Sequence, residues 1–477
     1  MSKYEMDMTS GNLFKKIIIY TIPIILTGIL QLLYNAADVA IVGKFADESI
    51  RDAALAAVTS TGSLTHLVIS LFMGLSVGSS VVYAKSIGKG DLERANRVVH
   101  TSFIVSAISS VFLTIVGIVF AKDFLRMTDS PDNVIDLATT YVQIYFGGIF
   151  FNLLYNFISS IVRANGDSKR PLYILTFSGL VNVVLNLVFV IVFHMNAAGV
   201  ALATVISQVI SAILIMYILF KENGPLNFSF SKLKVDKSVL KEMILIGLPS
   251  GIQMALFSIS NVIVQRTVNG FASKGAMMVN PEIPVAGNGA ASTLEGFVHT
   301  AMNAVYQSAI NFTGQNYGAK KEDNLKKVLI YSLIIVSTIG ITLGVSFYVF
   351  GPYLLRIFTD NPEAIAYALN RMKYVCLLYF ICGVMDVLVG FLRGIGYSII
   401  PMIVSLLGVC VFRIVWIFTV YEAYPTPDNL YISYPISWTI TSLANIIMIL
   451  IFLPKIIKKM HEAPSVLGEC LDDAIEC

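Results

Sequence analysis

Twelve times along the 477-residue chain an apolar run of about 20 residues or more gives way to a short charged connection. A hydrocarbon core ~30 Å thick is crossed by ~20 apolar residues in a helix. A chain inside lipid must satisfy its own backbone hydrogen bonds. The pattern therefore restricts the chain to an all-α integral membrane bundle. The ten-residue alternation of a membrane β-barrel is missing. Composition agrees, with 56% hydrophobic and only 13% charged residues, against roughly 25% charged in soluble domains.

Helices are expected at about 15–42, 54–84, 95–121, 134–160, 170–193, 196–220, 239–268, 283–313, 325–350, 364–392, 398–422 and 430–453. With the amino terminus inside, the inner segments hold 23 Lys and Arg and the outer ones 9, leaving Arg413 within the membrane. The positive-inside rule then puts both termini in the cytoplasm of a multi-pass inner or plasma membrane protein. The start carries Glu5 and Asp7, and the apolar run after it is too long for a signal-peptide core, so no cleavage is expected. Cys376, Cys382 and Cys410 lie in apolar runs and Cys470 and Cys477 in an acidic tail, with neither metal-site spacing nor a disulfide framework.

The chain repeats itself. Leu13-Phe-Lys-Lys, Pro23, Asn35 and Phe45-Ala46 align without gaps on Val239-Leu-Lys-Glu, Pro249, Asn261 and Phe271-Ala272. Gly88 then matches Gly318, Arg163 and Gly166 match Arg393 and Gly396, and Pro171 matches Pro401. Six helices per repeat is an even number, so both halves enter from one side and are related by a pseudo-two-fold along the membrane normal. The expected division is a cytoplasmic start (1–14), a first lobe (15–220), a linker (221–238), a second lobe (239–453) and a cytoplasmic tail (454–477). Pro23 and Pro249 each remove a backbone donor inside the first helix of a half, which suits either a hinge or a static kink.

Within the first helix, Gln31, Tyr34, Asn35 and Asp38 recur at spacings of three and four and so share one face. A carboxylate near a bilayer centre costs ~2.5–3.5 kcal/mol on insertion scales, so Asp38 should face a bundle interior or a wet cavity. Helix four adds Asn152 and Asn156, helix five Asn182 and Asn186, and helix six Thr204. Counting 1.5 Å per residue puts Asn186, Thr204 and Asp38 at one depth in the outer half. One carboxylate among neutral oxygens can hold a proton or sodium. Interhelical amide contacts are the alternative for the neutral groups. The second half differs: Val264 stands where Asp38 does, and its ionisable residues are Glu295, His299, Asp386 and Arg413. Depth counting makes Glu295 and Arg413 an expected ion pair. Gln31, Tyr34, Asn152, Asn156, Glu295, His299, Asp386 and Arg413 are the candidates to line the substrate cavity, with Glu295 and Asp386 for contact with a lipophilic cation.

The turns at Gly88-Lys-Gly90 and Gly394-Ile-Gly396 lack phosphate-loop spacing, and no nucleophile, base and orienting acid form a set. An ATP-driven pump, a membrane enzyme and a nucleic-acid binder are therefore disfavoured. No cofactor and no resident metal are expected, sodium at the Asp38 cluster apart.

Pro23, Gln31, Tyr34-Asn35, Asp38, Val42-Gly43 and Ala54-Leu-Ala-Ala-Val58, with Gly314-Gln-Asn-Tyr-Gly-Ala319 and Arg393-Gly-Ile-Gly396, resemble the multidrug and toxic compound extrusion (MATE) transporters over about residues 10–455. The resemblance implies two six-helix lobes in a V and export of organic, often cationic or amphiphilic, compounds in exchange for protons or sodium. It assigns Asp38, Asn182 and Thr204 to the coupling site. Position 186 departs, being asparagine where relatives with a full cation site carry aspartate, and the helix-seven acid of sodium-coupled relatives is missing. Both departures favour protons. The expectation is a monomeric proton-coupled multidrug antiporter, with a lipid-linked oligosaccharide flippase of the same superfamily as the alternative.

Overall fold

The computed structural model describes residues 4–127, 132–270 and 282–462. The first half contains α1 (Leu13–Phe45), α2 (Arg51–Lys89) and α3 (Leu92–Val119). After these come α4, a bent pair (Asp132–Gly147 and Ile149–Ala164), α5 (Lys169–Leu187, ending in a π-turn) and α6 (Asn196–Lys221). The second half contains α7 (Lys237–Asn269), α8 (Glu282–Gly318), α9 (Glu322–Val349) and the bent pair α10 (Pro362–Val375 and Tyr379–Ile395). It ends with α11 (Ile399–Tyr421) and α12 (Ser433–Glu462). The fold is the expected all-helical twelve-span bundle, and among the described residues nine helices plus two bent pairs are long and apolar enough to cross a membrane. The twelfth is α8, which is long but carries Asn288, Glu295, His299 and Asn303. It packs against α1, α2, α9 and α10, and its Asn288 and Glu295 are buried among them.

Two features depart from the expected straight rods. Gly148 breaks α4 by 48°, and α10 bends by 45° between Val375 and Tyr379 without any proline there. Pro23 and Pro249, by contrast, sit inside helices that continue through them. The aligned Phe271 and Ala272, and the tail cysteines Cys470 and Cys477, lie outside the described residues.

The repeat is visible as packing. A methyl on Gly88 would collide with the Gln315 carbonyl, and one on Gly318 with the Lys85 carbonyl, so equivalent positions of the two halves meet reciprocally. Thr21 and Ser308 share a 2.8 Å hydrogen bond where α1 crosses α8, while their equivalents Gly247 and Gly78 pack closely where α7 crosses α2. Small residues permit such approach, as in membrane helix pairs generally. Gly166 and Gly396 cap the ends of α4 and α10 with φ of 102° and 115°, a region where a side chain is strained.

The halves are joined near the face that carries the amino terminus. Glu242 on α7 takes Lys85 at 2.7 Å and Arg94 at 2.8 Å from the first half. Arg163 donates to Gln307 at 3.0 Å, and Gln315 to the Ala164 carbonyl at 2.7 Å. The segment before α1 adds a strap. Met6 N–H and Glu5 bond Gly166 and Asn165 of the first half, while Asn316 and Lys321 of the second donate to the Met8 and Thr9 carbonyls.

Candidate functional site

Asp38 projects from the C-terminal half of α1 into the first bundle and is 8% exposed. Its Oδ1 accepts from Asn186 Nδ2 at 2.5 Å and its Oδ2 from Thr204 Oγ1 at 3.4 Å. Asn186 also donates to Asn182 Oδ1 at 3.2 Å, and Asn182 to Thr204 at 3.4 Å. Residues 182 and 186 are one turn apart on α5, and Thr204 comes from the facing surface of α6. No ion-pair partner accompanies Asp38 among the described residues. Desolvating a carboxylate with only neutral donors is costly, and a bound cation or proton would offset that cost.

Asn186 is fully buried, yet its Oδ1 has no hydrogen-bond partner. An amide can turn its oxygen or its nitrogen toward a neighbour. It donates to a carboxylate, and after a half-turn it accepts from a carboxylic acid. Asp38 can thus be satisfied with or without a proton. The same oxygens, with Asn182 Oδ1 and Thr204 Oγ1, form a set of the type sodium takes. No cluster of three His, Cys, Asp or Glu suited to a metal exists among the described residues.

The rest of the expected stripe is divided. Tyr34 packs on Gly179 and donates to the Thr176 carbonyl at 3.3 Å, so its hydroxyl is spent between α1 and α5. Gln31 and Asn35 are exposed, and Asn35 is not among the groups bonded to Asp38. Asn156 donates to Asn152 within α4.

The expected pair of Glu295 with Arg413 does not exist. Glu295 is held at both oxygens by Arg371, at 2.8 and 2.6 Å, and Arg371 also donates to Asn288 at 2.7 Å. Depth along the normal says nothing about direction around a helix, and Arg371 approaches from the first segment of the bent α10. Glu295 is therefore engaged in an internal ion pair and is not a free anionic spot for a substrate. Asp386 lies on the other half of α10, with its Oδ2 3.8 Å from His299 Nε2. Both line a cavity of about 200 Å³ inside the second half, as do Arg413, Tyr379, Tyr434 and Trp438.

Residues 23–188 and 249–419 match the MatE family model. The chain belongs to the MatE family. Among its MatE relatives, a probable multidrug resistance protein of Bacillus subtilis (strain 168), YpnP, is 29% identical over 408 residues, covering 85% of this chain and 88% of that protein. A second from the same organism, YoeA, is 27% identical over 83% of this chain and 85% of its own length. Among solved structures, the outward-facing conformation of a multidrug resistance MATE family transporter of the MOP superfamily superposes with a TM-score of 0.85 at 22% identity, covering 94% of this chain and 97% of that one.

In this MatE chain, sequence reasoning missed one feature beside the candidate sites. At the end of α1, Asp47 accepts from Asn196 at 2.9 Å and faces His194 at 3.0 Å. His194 and Asn196 both have positive φ, at 51° and 48°, a conformation in which Asn and His are enriched. The turn between α5 and α6 is thereby clasped to the end of α1. These bonds, Asn196 first and then His194, hold the exposed Asp47 carboxyl below its ordinary range.

Proposed function

We propose that the chain is a secondary multidrug antiporter of the plasma membrane with both termini cytoplasmic. It exports organic, often cationic or amphiphilic, compounds in exchange for protons by alternating access. The observation that carries this reading is the Asp38 carboxylate, bonded by Asn186 and Thr204 alone and beside an amide able to serve both of its protonation states. The family's transporters and the multidrug names of the relatives support the substrate side. The single carboxylate supports protons over sodium.

A proton entering from outside neutralises Asp38, turns the Asn186 amide and loosens α1 from α5 and α6. Pro23 supplies the place where α1 can bend, with Pro249 as its counterpart in α7. The size of the drive is adequate, since one charge moved through 100 mV is worth ~2.3 kcal/mol. Opening at the closed face requires separating the Gly88–Gly318 crossing and the contacts of Glu242. A lipid-linked headgroup would call for an arginine cluster, which the Asp38 side does not offer.

The test is efflux of ethidium by the full-length protein in proteoliposomes, with pH and sodium gradients imposed one at a time. A response to the pH gradient alone is expected. A response to sodium alone overturns the choice of ion, and no efflux under either gradient overturns the antiport.

A further inference from the structure

Arg413 occupies an unusual position. It is 4% exposed and deep in α11, yet among the described residues no carboxylate pairs with it. Its Nε donates to Ser437 at 3.1 Å, and its Nη2 has no hydrogen-bond partner at all. Its guanidinium lies 4.0 Å from the Tyr434 ring centroid and 5.7 Å from that of Trp438. Ring faces attract a cation but cannot accept from the in-plane N–H edge of a guanidinium. Arg371 shows what this protein does when it wants a neutral interior, because Glu295 and Asn288 take both ends of its fork.

The cavity that Arg413 lines has a second arginine, Arg393, whose partners Tyr306 and Gln253 are both neutral. Against these two guanidiniums stands one carboxylate, Asp386, with His299 beside it. The lining is therefore positive whatever the state of His299. Its wall is a ring stack, with Tyr379 between His299 at 6.1 Å and Trp438 at 5.2 Å.

We propose that the cavity inside the second half binds a planar aromatic compound carrying an anionic group, the anion on the Arg413 guanidinium and the ring against the Tyr379–Trp438 wall. The inference rests on the transport reading and gives its second half a substrate class opposite in charge to the expected organic cations. Asp386, on the same cavity, admits amphoteric compounds whose amine lies away from the acid.

The probes are three compounds with one ring: 2-naphthoate, neutral 2-naphthamide and 2-naphthylmethylammonium. Tritiated 2-naphthoate is bound to the purified full chain by scintillation proximity, and each compound is used to displace it. The naphthoate is expected to displace roughly tenfold or more better than the other two, since a lost charge-assisted bond costs about that much or more. Arg413→Gln should remove this preference and Arg413→Lys should keep part of it. Equal displacement by all three on the wild-type protein overturns the proposal without any variant, and so does an unchanged preference in Arg413→Gln. The transport reading fails separately. Intact ethidium efflux with no preference for naphthoate overturns the subsite alone, whereas a clear preference with no efflux of any compound overturns transport and leaves the subsite standing.

Discussion

The Asp38 carboxylate and the Asn186 amide are 148 positions apart in the chain and meet at 2.5 Å inside the first bundle. Asn186 has its other polar atom idle. A buried pair with one unspent acceptor has two stable hydrogen-bond arrangements, and their difference is a proton.

Asp38→Asn keeps the shape of the side chain and an amide that can still bond Asn186. We expect pH-driven ethidium efflux from everted vesicles to be lost while the protein inserts normally and elutes as one species. Wild-type efflux in this variant would remove Asp38 from the coupling step.

Asn186→Asp places two carboxylates together, and like charges at that distance are relieved by a shared proton or, above its pKa, by a bound cation. The purified variant should gain thermal stability in NaCl beyond that in choline chloride. Binding to the folded state alone contributes about 2.7 kcal/mol when sodium is at 100 times its dissociation constant. Equal midpoints in the two salts would show that the Asn182–Thr204 oxygens do not complete a sodium cage.

Glu295 and Arg371 should behave as one unit. Removing either alone strands a buried charge, which costs about 3–5 kcal/mol, so Glu295→Gln and Arg371→Met should each lower the unfolding midpoint in detergent sharply. The double variant should recover much of the loss. Additive losses would place the two residues in separate networks.

Gly88→Ala and Gly318→Ala each drive a methyl into a backbone carbonyl of the other half. Both should widen the separation of the halves at the closed face, read as spin-label distances between positions 92 and 322, and to a similar extent because the two sites are equivalent. A shift in one variant only would show that the crossing is not symmetric.

Asp47 gives a pH dependence with a definite sign. Its carboxyl titrates below the ordinary range in the folded state, chiefly through Asn196. The clasp is therefore fully present above about pH 4 and is lost as pH falls through the lowered value. Hydrogen exchange of the Asp47 amide, which donates to Asn196 at 2.9 Å, should stay protected from neutral pH into this acidic range and open below it. Protection that fades well above this range would show that Asp47 does not control the clasp.

The twelve spans and the two-fold repeat were legible because lipid allows only helices or closed barrels, the alternation of a barrel is missing, and the Gly88/Gly318 and Gly166/Gly396 signatures recur at one offset. The meeting of Asp38 with Asn182, Asn186 and Thr204 was legible from spacing and depth together. What failed was direction. Glu295 and Arg413 share a depth, but the bend after Val375 brings Arg371 to Glu295 instead, and no proline or glycine marks that bend in the sequence. The stack of His299, Tyr379 and Trp438 was hidden for another reason, since aromatic residues are so common in these helices that three of them carry no signal until they are seen together.

The amino-terminal strap has a consequence for handling the molecule. Glu5 and Met6 hold one half while Met8 and Thr9 are held by the other, so residues 5–9 clasp the halves together, and any parting of the halves at that face would require these bonds to break. A purification tag or fluorescent protein fused there would bear on these bonds, so differences between variants compared in such fusions would mix the effect of the substitution with that of the fusion.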